Sequence, residues 1–261
     1  MEEYEYVSNT LSSPDRLVLY RGQRDHSWLL DSTIARSLKK NWFHVLPGHQ
    51  FSGQAQESFE LHRLLVSAIL WKFAYVVRPS PELRMHAEKS IELDSMFEMM
   101  KRCQQYPDRE HDWPSVPGTP LVDWSRSSEI GLFFANRHRN KDQAAAVFIL
   151  DATETGKVQM KKKVEEILRI MEAQINERSP GLPLLFCPPS QTLMLRAKRQ
   201  EAFYFAHMDL RYDLARIWRI HEREIARRVL LKMILPSGTN DAVSEYLKNK
   251  GLTEEFVMVD E

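Results

Sequence analysis

Residues 119–135, Thr-Pro-Leu-Val-Asp-Trp-Ser-Arg-Ser-Ser-Glu-Ile-Gly-Leu-Phe-Phe-Ala, gather the side chains best suited to holding a ligand. A short apolar run, Leu121-Val122, delivers Asp123, Trp124 and Ser125 to the point where the pattern turns helical, with Ile130, Phe133 and Phe134 at offsets of three and four. The first N–H groups of a helix lack intrahelical partners, so a strand that feeds a helix mouth is a natural anion site. Plainer readings stand beside this one. Asp123 and Ser125 are also good helix-capping groups, and Trp124 is as well suited to the core as to a ligand wall.

Other residues carry chemistry at a distance from this stretch. Arg21 follows the apolar run Leu17–Tyr20, where it can face a ligand or pair with Asp25 or Asp31. His26 lies five residues further on, an acid-base group or a structural histidine. Arg196, Lys198 and Arg199 form a basic turn that could grip phosphate or an RNA acceptor, or simply be solvated. Gln200 and Glu201 precede the apolar Ala202–Phe205. The nine histidines show no HExxH or similar ligand spacing, so no metal site is expected.

The elements that must position these residues are short strands scattered among helices. Residues 1–14 are acidic and polar and read as a peripheral lead-in to one domain over 15–261. Leu17–Tyr20 reads as a strand that stops at Arg21-Gly22-Gln23. Asp31-Ser32-Thr33 precedes a helix start. Residues 54–106 read as a helical pair inserted between strands, and 107–120, rich in Pro, Asp and Gly, as a loop. Ala144–Leu150 predicts a strand and Val164–Gln174 a helix. Thr192–Leu195 and Ala202–Ala206 predict strands on either side of the basic turn. Leu210–Arg228 is an amphipathic helix bearing Arg216, Arg219, Arg223, Arg227 and Arg228; the interleaved Glu222 and Glu224 favour a solvated face over a nucleic-acid one. Val229–Leu235 is a strand, and Asp241–Lys250 a closing helix stopped by Gly251. Without regular strand–helix alternation, the pattern argues α+β, with a small mixed or antiparallel sheet at its core.

Composition narrows the classes. The 36 basic and 36 acidic side chains cancel, which removes a uniform field for gripping duplex nucleic acid but leaves room for a local basic groove. The two cysteines, Cys103 and Cys187, are too few for a disulfide framework and fit a reducing compartment. The N-terminus has no signal-peptide core, and no run approaches the roughly 20 apolar residues of a membrane span. The expectation is a cytoplasmic protein with no membrane partner.

Three stretches together resemble the FRG domain, named for an aromatic-Arg-Gly signature: Tyr20-Arg21-Gly22-Gln23, Thr119–Ala135 and Arg196–Tyr204. The second is the most specific, since Asp123-Trp124-Ser125 and the distant Phe134-Ala135 keep the family's register. The third departs from it, with Gln200-Glu201-Ala202 where the family usually has Gln-x-Gly. The resemblance is read over most of the chain, including the strand and helix between Val229 and Leu252. More widely, the order of motifs is similar to that of toxin-type mono-ADP-ribosyltransferases. These use an Arg on a first strand for the NAD phosphates, a Ser/Thr-rich second strand running into a helix, and a late Glu before an apolar strand. Arg21, Ser125 with Asp123 and Trp124, and Glu201 with Gln200 fall in that order.

That resemblance implies an enzyme using NAD as ADP-ribose donor, without a metal, to modify RNA, another nucleic-acid base or a protein side chain. Breaking the glycosidic bond builds positive charge at the anomeric carbon, which a preorganised carboxylate, Glu201, would stabilise. Acid-base help to the acceptor, for which His26 is the candidate, would add roughly 10²- to 10⁴-fold, and Gln200 would supply a polar contact beside Glu201. Arg21 would hold the diphosphate with its planar fork, Gly22 would admit backbone close to the ligand, and Tyr20 and Trp124 would wall the ring. Arg196, Lys198 and Arg199 would meet the acceptor. A toxin or anti-phage effector with a neutralising antitoxin protein fits this chemistry. So does a binding module with no catalysis, or a metal-independent nuclease built from Arg21, His26 and Lys198.

Overall fold

A computed structural model describes residues 1–41, 100–101, 104, 118–153, 180, 183–186, 194–207 and 209–259. The expected helical pair at 54–106 falls outside these apart from Met100, Lys101 and Gln104, which are helical. The helix expected at 164–174 and both cysteines also lie outside them.

The chain forms a six-stranded antiparallel sheet with helices on both faces, an α+β arrangement. Its strands are β1 (Val18–Gln23), β2 (Leu121–Ser125), β3 (Ala145–Asp151), β4 (Leu184–Phe186), β5 (Ala202–Ala206) and β6 (Leu230–Leu235), in the order β4-β5-β2-β1-β3-β6. The helices are α1 (Glu2–Leu11), α2 (Thr33–Asn41), α3 (Ser128–Asn136), α4 (Leu195–Arg199), α5 (Leu214–Glu224), α6 (Asn240–Asn249) and α7 (Glu254–Val257).

Side-chain alternation along the strands builds two cores. Val18 and Tyr20 of β1, with Ala145, Val147 and Ile149 of β3, pack under α3, α6 and the N-terminal α1. Leu19, Val122, Phe148, Leu150 and Phe205 face the other way, onto Leu214, Ile217 and Trp218 of α5. There Phe205 meets Trp124 edge-on at 5.8 Å and Trp218 at 5.7 Å.

Three local readings change. Residues 1–14 are not a peripheral lead-in: α1 sinks Tyr4 into the α3-side core, where its hydroxyl donates to the Ser128 carbonyl. β1 does not stop at Arg21 but pairs with β3 through Gln23, from Val18↔Asp151 to Gln23↔Ala146. The basic run Leu195–Arg199 is a short helix, not a turn between two strands. The helix expected over Leu210–Arg228 is shorter, Leu214–Glu224, while two boundary signals hold. Ser32 Oγ accepts the Ala35 N–H at the start of α2, and Gly251, at φ +75°, ends α6 as the Leu252 N–H returns to the Leu247 carbonyl.

The sheet has one weak seam. β1 and β3 pair along their whole length, as do β2 and β5 from Leu121↔Ala206 to Ser125↔Ala202. β1 and β2 meet in register at Tyr20↔Ser125. Beyond that point the strands part, and the gap between them becomes the floor of a cleft.

Candidate functional site

Arg21 fills the gap. Its Nη1 donates to the main-chain carbonyl of Asp123, so a side chain stands where a ladder hydrogen bond would otherwise join β1 to β2. Its Nε is buried without a hydrogen-bond partner. Arg21 keeps some accessible surface, yet burial is the leading influence on it and draws its pKa down to about 10, partly offset by Asp123 and reinforced by Arg36. It therefore remains a cation at neutral pH, held in a place that resists charge.

Around it opens a cavity of about 400 Å³, within the range of small-molecule sites. Its walls come from β1, β2, the underside of α3 (Ile130, Phe134), α4, and the helical residues Lys101 and Gln104. Lys101 is buried, with its ammonium 4.1 Å from the Tyr204 ring centre and 3.1 Å from Asp123 Oδ1. Gln104 Nε2 donates to Asp123 Oδ2 at 3.0 Å. Burial lowers the Lys101 pKa against the pull of Asp123, and Arg196 and Arg21 lower it further. Arg36 is likewise lowered by burial; it donates to the Asp31 carbonyl at 2.9 Å. Asp123 is the sole carboxylate among the described residues lining the cavity, against Arg21, Arg24, Arg36, Lys101, Arg137 and Arg196. Arg137 is answered by Glu254 at 2.6 Å. Cations that depress one another's charge in a shared pocket gain stability when an anion enters.

The mouth of α3 is not that anion site. Ser127 Oγ accepts the Ile130 N–H at 3.2 Å, and Ser125 Oγ accepts the Ser127 N–H at 2.9 Å. Glu129 lies in the first turn and accepts from the Ser127 and Ser128 hydroxyls. A carboxylate already occupies the positive end of the dipole. Ser125 lines the cavity, but its hydroxyl is engaged twice, since it also donates to the Gln200 carbonyl at 2.7 Å.

Tyr20, Arg21, Gly22, Asp123, Trp124, Ser125, Gln200 and Arg196 all border the cavity; Glu201, His26, Lys198 and Arg199 are not in its described lining. Tyr20 and Trp124 reach it as buried core residues whose polar atoms have no partner, 2% and 3% exposed. Gly22 has a packing reason of its own. A Cβ there would sit 2.0 Å from the Gly131 carbonyl and 2.2 Å from the Ala135 nitrogen, so the missing side chain admits α3 to β1. Gln200 donates through Nε2 to the Val257 carbonyl at 3.0 Å. Glu201 is exposed at φ +43°, in a turn pinned to the end of β2 by the Arg126 N–H to its carbonyl and by Ser125 to Gln200. His26 is half exposed, with Nδ1 3.3 Å from the Ala144 carbonyl. Lys198 is exposed, and Arg199 lies over Phe256 of α7. Lys101, Gln104 and Arg36 were not singled out in the sequence. Their elements come from segments whose pattern reads as ordinary helix, and no local signal marks which face meets β2.

The FRG domain model matches residues 16–144, the span that holds β1, Arg21, β2 and α3. The chain belongs to the FRG domain family. The match covers about half the chain, less than the resemblance reaching Leu252 that the sequence suggested, and Gln200, Glu201 and everything from β3 onward lie beyond it. No curated protein and no solved structure matches the chain. The FRG span thus supplies the Arg21 floor and one wall of the cavity, and α4 and β5 supply the other. Among the described residues no helix is long and apolar enough to cross a membrane, and no cluster of three His, Cys, Asp or Glu side chains could hold a metal ion.

Proposed function

We propose that the cavity binds NAD through its diphosphate and that the protein transfers ADP-ribose to a macromolecular acceptor, in the manner of an ADP-ribosyltransferase. The observation that carries this reading is Arg21: a buried guanidinium in the split between β1 and β2, its Nε unpartnered, with Arg36, Lys101 and Arg196 around it. A planar cation with an unfilled donor suits a pyrophosphate oxygen better than a solvated lysine would. The order of residues agrees with it. Arg21 lies on the first strand, Ser125 ends the strand before α3, and Glu201 immediately precedes β5, which pairs with β2. The Ser125–Gln200 and Arg126–Glu201 bonds tie those last two positions together. Glu201 would act from the rim, on ribose at the edge of the cleft. A toxin or defence role, with a neutralising partner, is compatible with such chemistry.

A second reading is favoured by one observation: the only carboxylate in the described lining, Asp123, is engaged by Lys101 and Gln104. A pocket so furnished can hold a nucleotide without turning it over.

Labelled NAD with cellular RNA and lysate separates the two. The transferase reading expects label on a macromolecule, release of nicotinamide, and loss of both in Glu201→Gln at unchanged thermal stability. Saturable NAD binding without nicotinamide release would establish the binding module instead, and no binding of NAD would overturn both.

A further inference from the structure

A second depression lies beside the first. It is an open groove of about 1280 Å³ along the outer edge of β6 and the flank of α5. Arg216, Arg219, Arg223, Arg227, Arg228 and Lys232 line it, all exposed. The sequence set Glu222 and Glu224 against these arginines. The fold keeps Glu222 in the groove lining, with Glu3 and Asp213, but engages its carboxylate with the main chain. Glu222 Oε1 accepts the Val229 and Leu230 N–H groups at 2.8 Å, closing the turn into β6. Glu224 is outside the described lining and lies 3.8 Å from His221. Trp28 belongs to the lining of both the groove and the Arg21 cavity. It is 41% exposed, with the Arg24 guanidinium 5.1 Å from its ring centre.

We infer that this groove is a track for single-stranded nucleic acid, with its phosphates on the α5 arginines and a base stacked on Trp28 at the entrance to the cleft. A row of cations that follows a backbone, ending in an exposed aromatic with a π-face for any base, is the physical basis of single-strand binding. The near-zero net charge of the whole chain leaves this strip as a local field, suited to a flexible strand and not to a broad duplex face. As an acceptor track the inference rests on the transferase reading; as a binding surface it does not. It chooses nucleic acid over a protein side chain as the acceptor.

Fluorescence anisotropy with a 12-nucleotide labelled strand, as RNA and as DNA, tests it on the full chain. Binding is expected to weaken roughly tenfold in Trp28→Ala, the scale of one lost stack, and to recover largely in Trp28→Phe. The double variant R219Q/R223Q is expected to reduce the slope of log affinity against log salt by about 1.4, two phosphate contacts at about 0.7 each. Preference between the RNA and DNA strands says which polymer is the acceptor. An unchanged affinity in Trp28→Ala, or an unchanged slope in R219Q/R223Q, overturns the track. So does competition by poly-glutamate equal to that of a strand of the same charge, which would mark a surface for acidic protein. Strand binding without nicotinamide release would sink the transferase and leave the track. Labelling of protein by a chain that binds no strand would do the reverse.

Discussion

The mouth of α3 and the split between β1 and β2 are joined by the single strand β2, and both resemble anion sites from the sequence. They are built in opposite ways. At the helix mouth Ser125, Ser127 and Glu129 take up one another's donors and the first-turn amides. In the split, Arg21 reaches a carbonyl and keeps a buried Nε without a partner, next to Arg36 and Lys101, whose pKa values are also held down. A site for a charged ligand is recognised by what the protein leaves unsatisfied. The polar residues themselves are equally abundant in both places.

The contrast can be broken most severely at the contact that both regions share. Gly22→Ala forces a Cβ into the backbone of α3, and neither main chain can yield cheaply. Such overpacking is expected to cost about 3 kcal/mol or more, read as a collapse of the urea midpoint, and to disturb helix mouth and cleft together.

Arg21→Gln acts on the cleft alone. NAD affinity measured by calorimetry should fall about 10- to 100-fold, the worth of a hydrogen bond to a charged group. Arg21→Lys should not restore it, because an ammonium lacks the fork that reaches the Asp123 carbonyl and a phosphate at once. Equal affinity in all three proteins would place the nucleotide elsewhere.

Ser127→Ala acts on the mouth alone. Loss of the cap should lower stability by about 1 kcal/mol by denaturant titration, with NAD affinity unchanged. A large loss of affinity would mean that the helix start does hold the ligand.

The gentlest test uses pH and touches neither region. His207 is fully buried, accepting from the Ser32 N–H through Nδ1 at 3.3 Å and donating from Nε2 to the Tyr212 carbonyl at 2.8 Å. Burial lowers its pKa, with Asp31 opposing. Its contribution to stability is complete above the unfolded value of about 6.5 and is lost as pH falls below that toward the lowered folded value. Thermal melts should weaken across this window in the native protein, and the weakening should shrink in His207→Gln.

Much of the fold was legible because its signals are local. Apolar runs with β-branched and aromatic residues gave β3, β5 and β6, Ser32 announced α2, and Gly251 ended α6. Gly22 was visible as a position needing a bare backbone, but a sequence does not say what approaches it. The acidic first residues read as solvent-facing because Tyr4 alone looks incidental; its burial depends on a gap beside α3 that only the folded chain has. The cavity was half legible. Arg21 and Asp123–Ser125 stand out by type and spacing, whereas Lys101, Gln104 and Arg36 become visible only when helices from distant sequence close over the seam. The arginines of α5 were legible as charged and interleaved with Glu222 and Glu224; that Glu222 also accepts the Val229 and Leu230 amides was not.

The sheet order also fixes when the cleft can exist. Arg21 belongs to the first strand made, while its opposite wall waits for α4 and β5, which end at Ala206. At roughly 5 to 20 residues per second of synthesis, about 10 to 40 s separate the emergence of the two. During that interval the nascent chain holds Arg21 without the surface that completes the cavity. Any ligand of the cleft therefore meets a complete site only once β5 has been made.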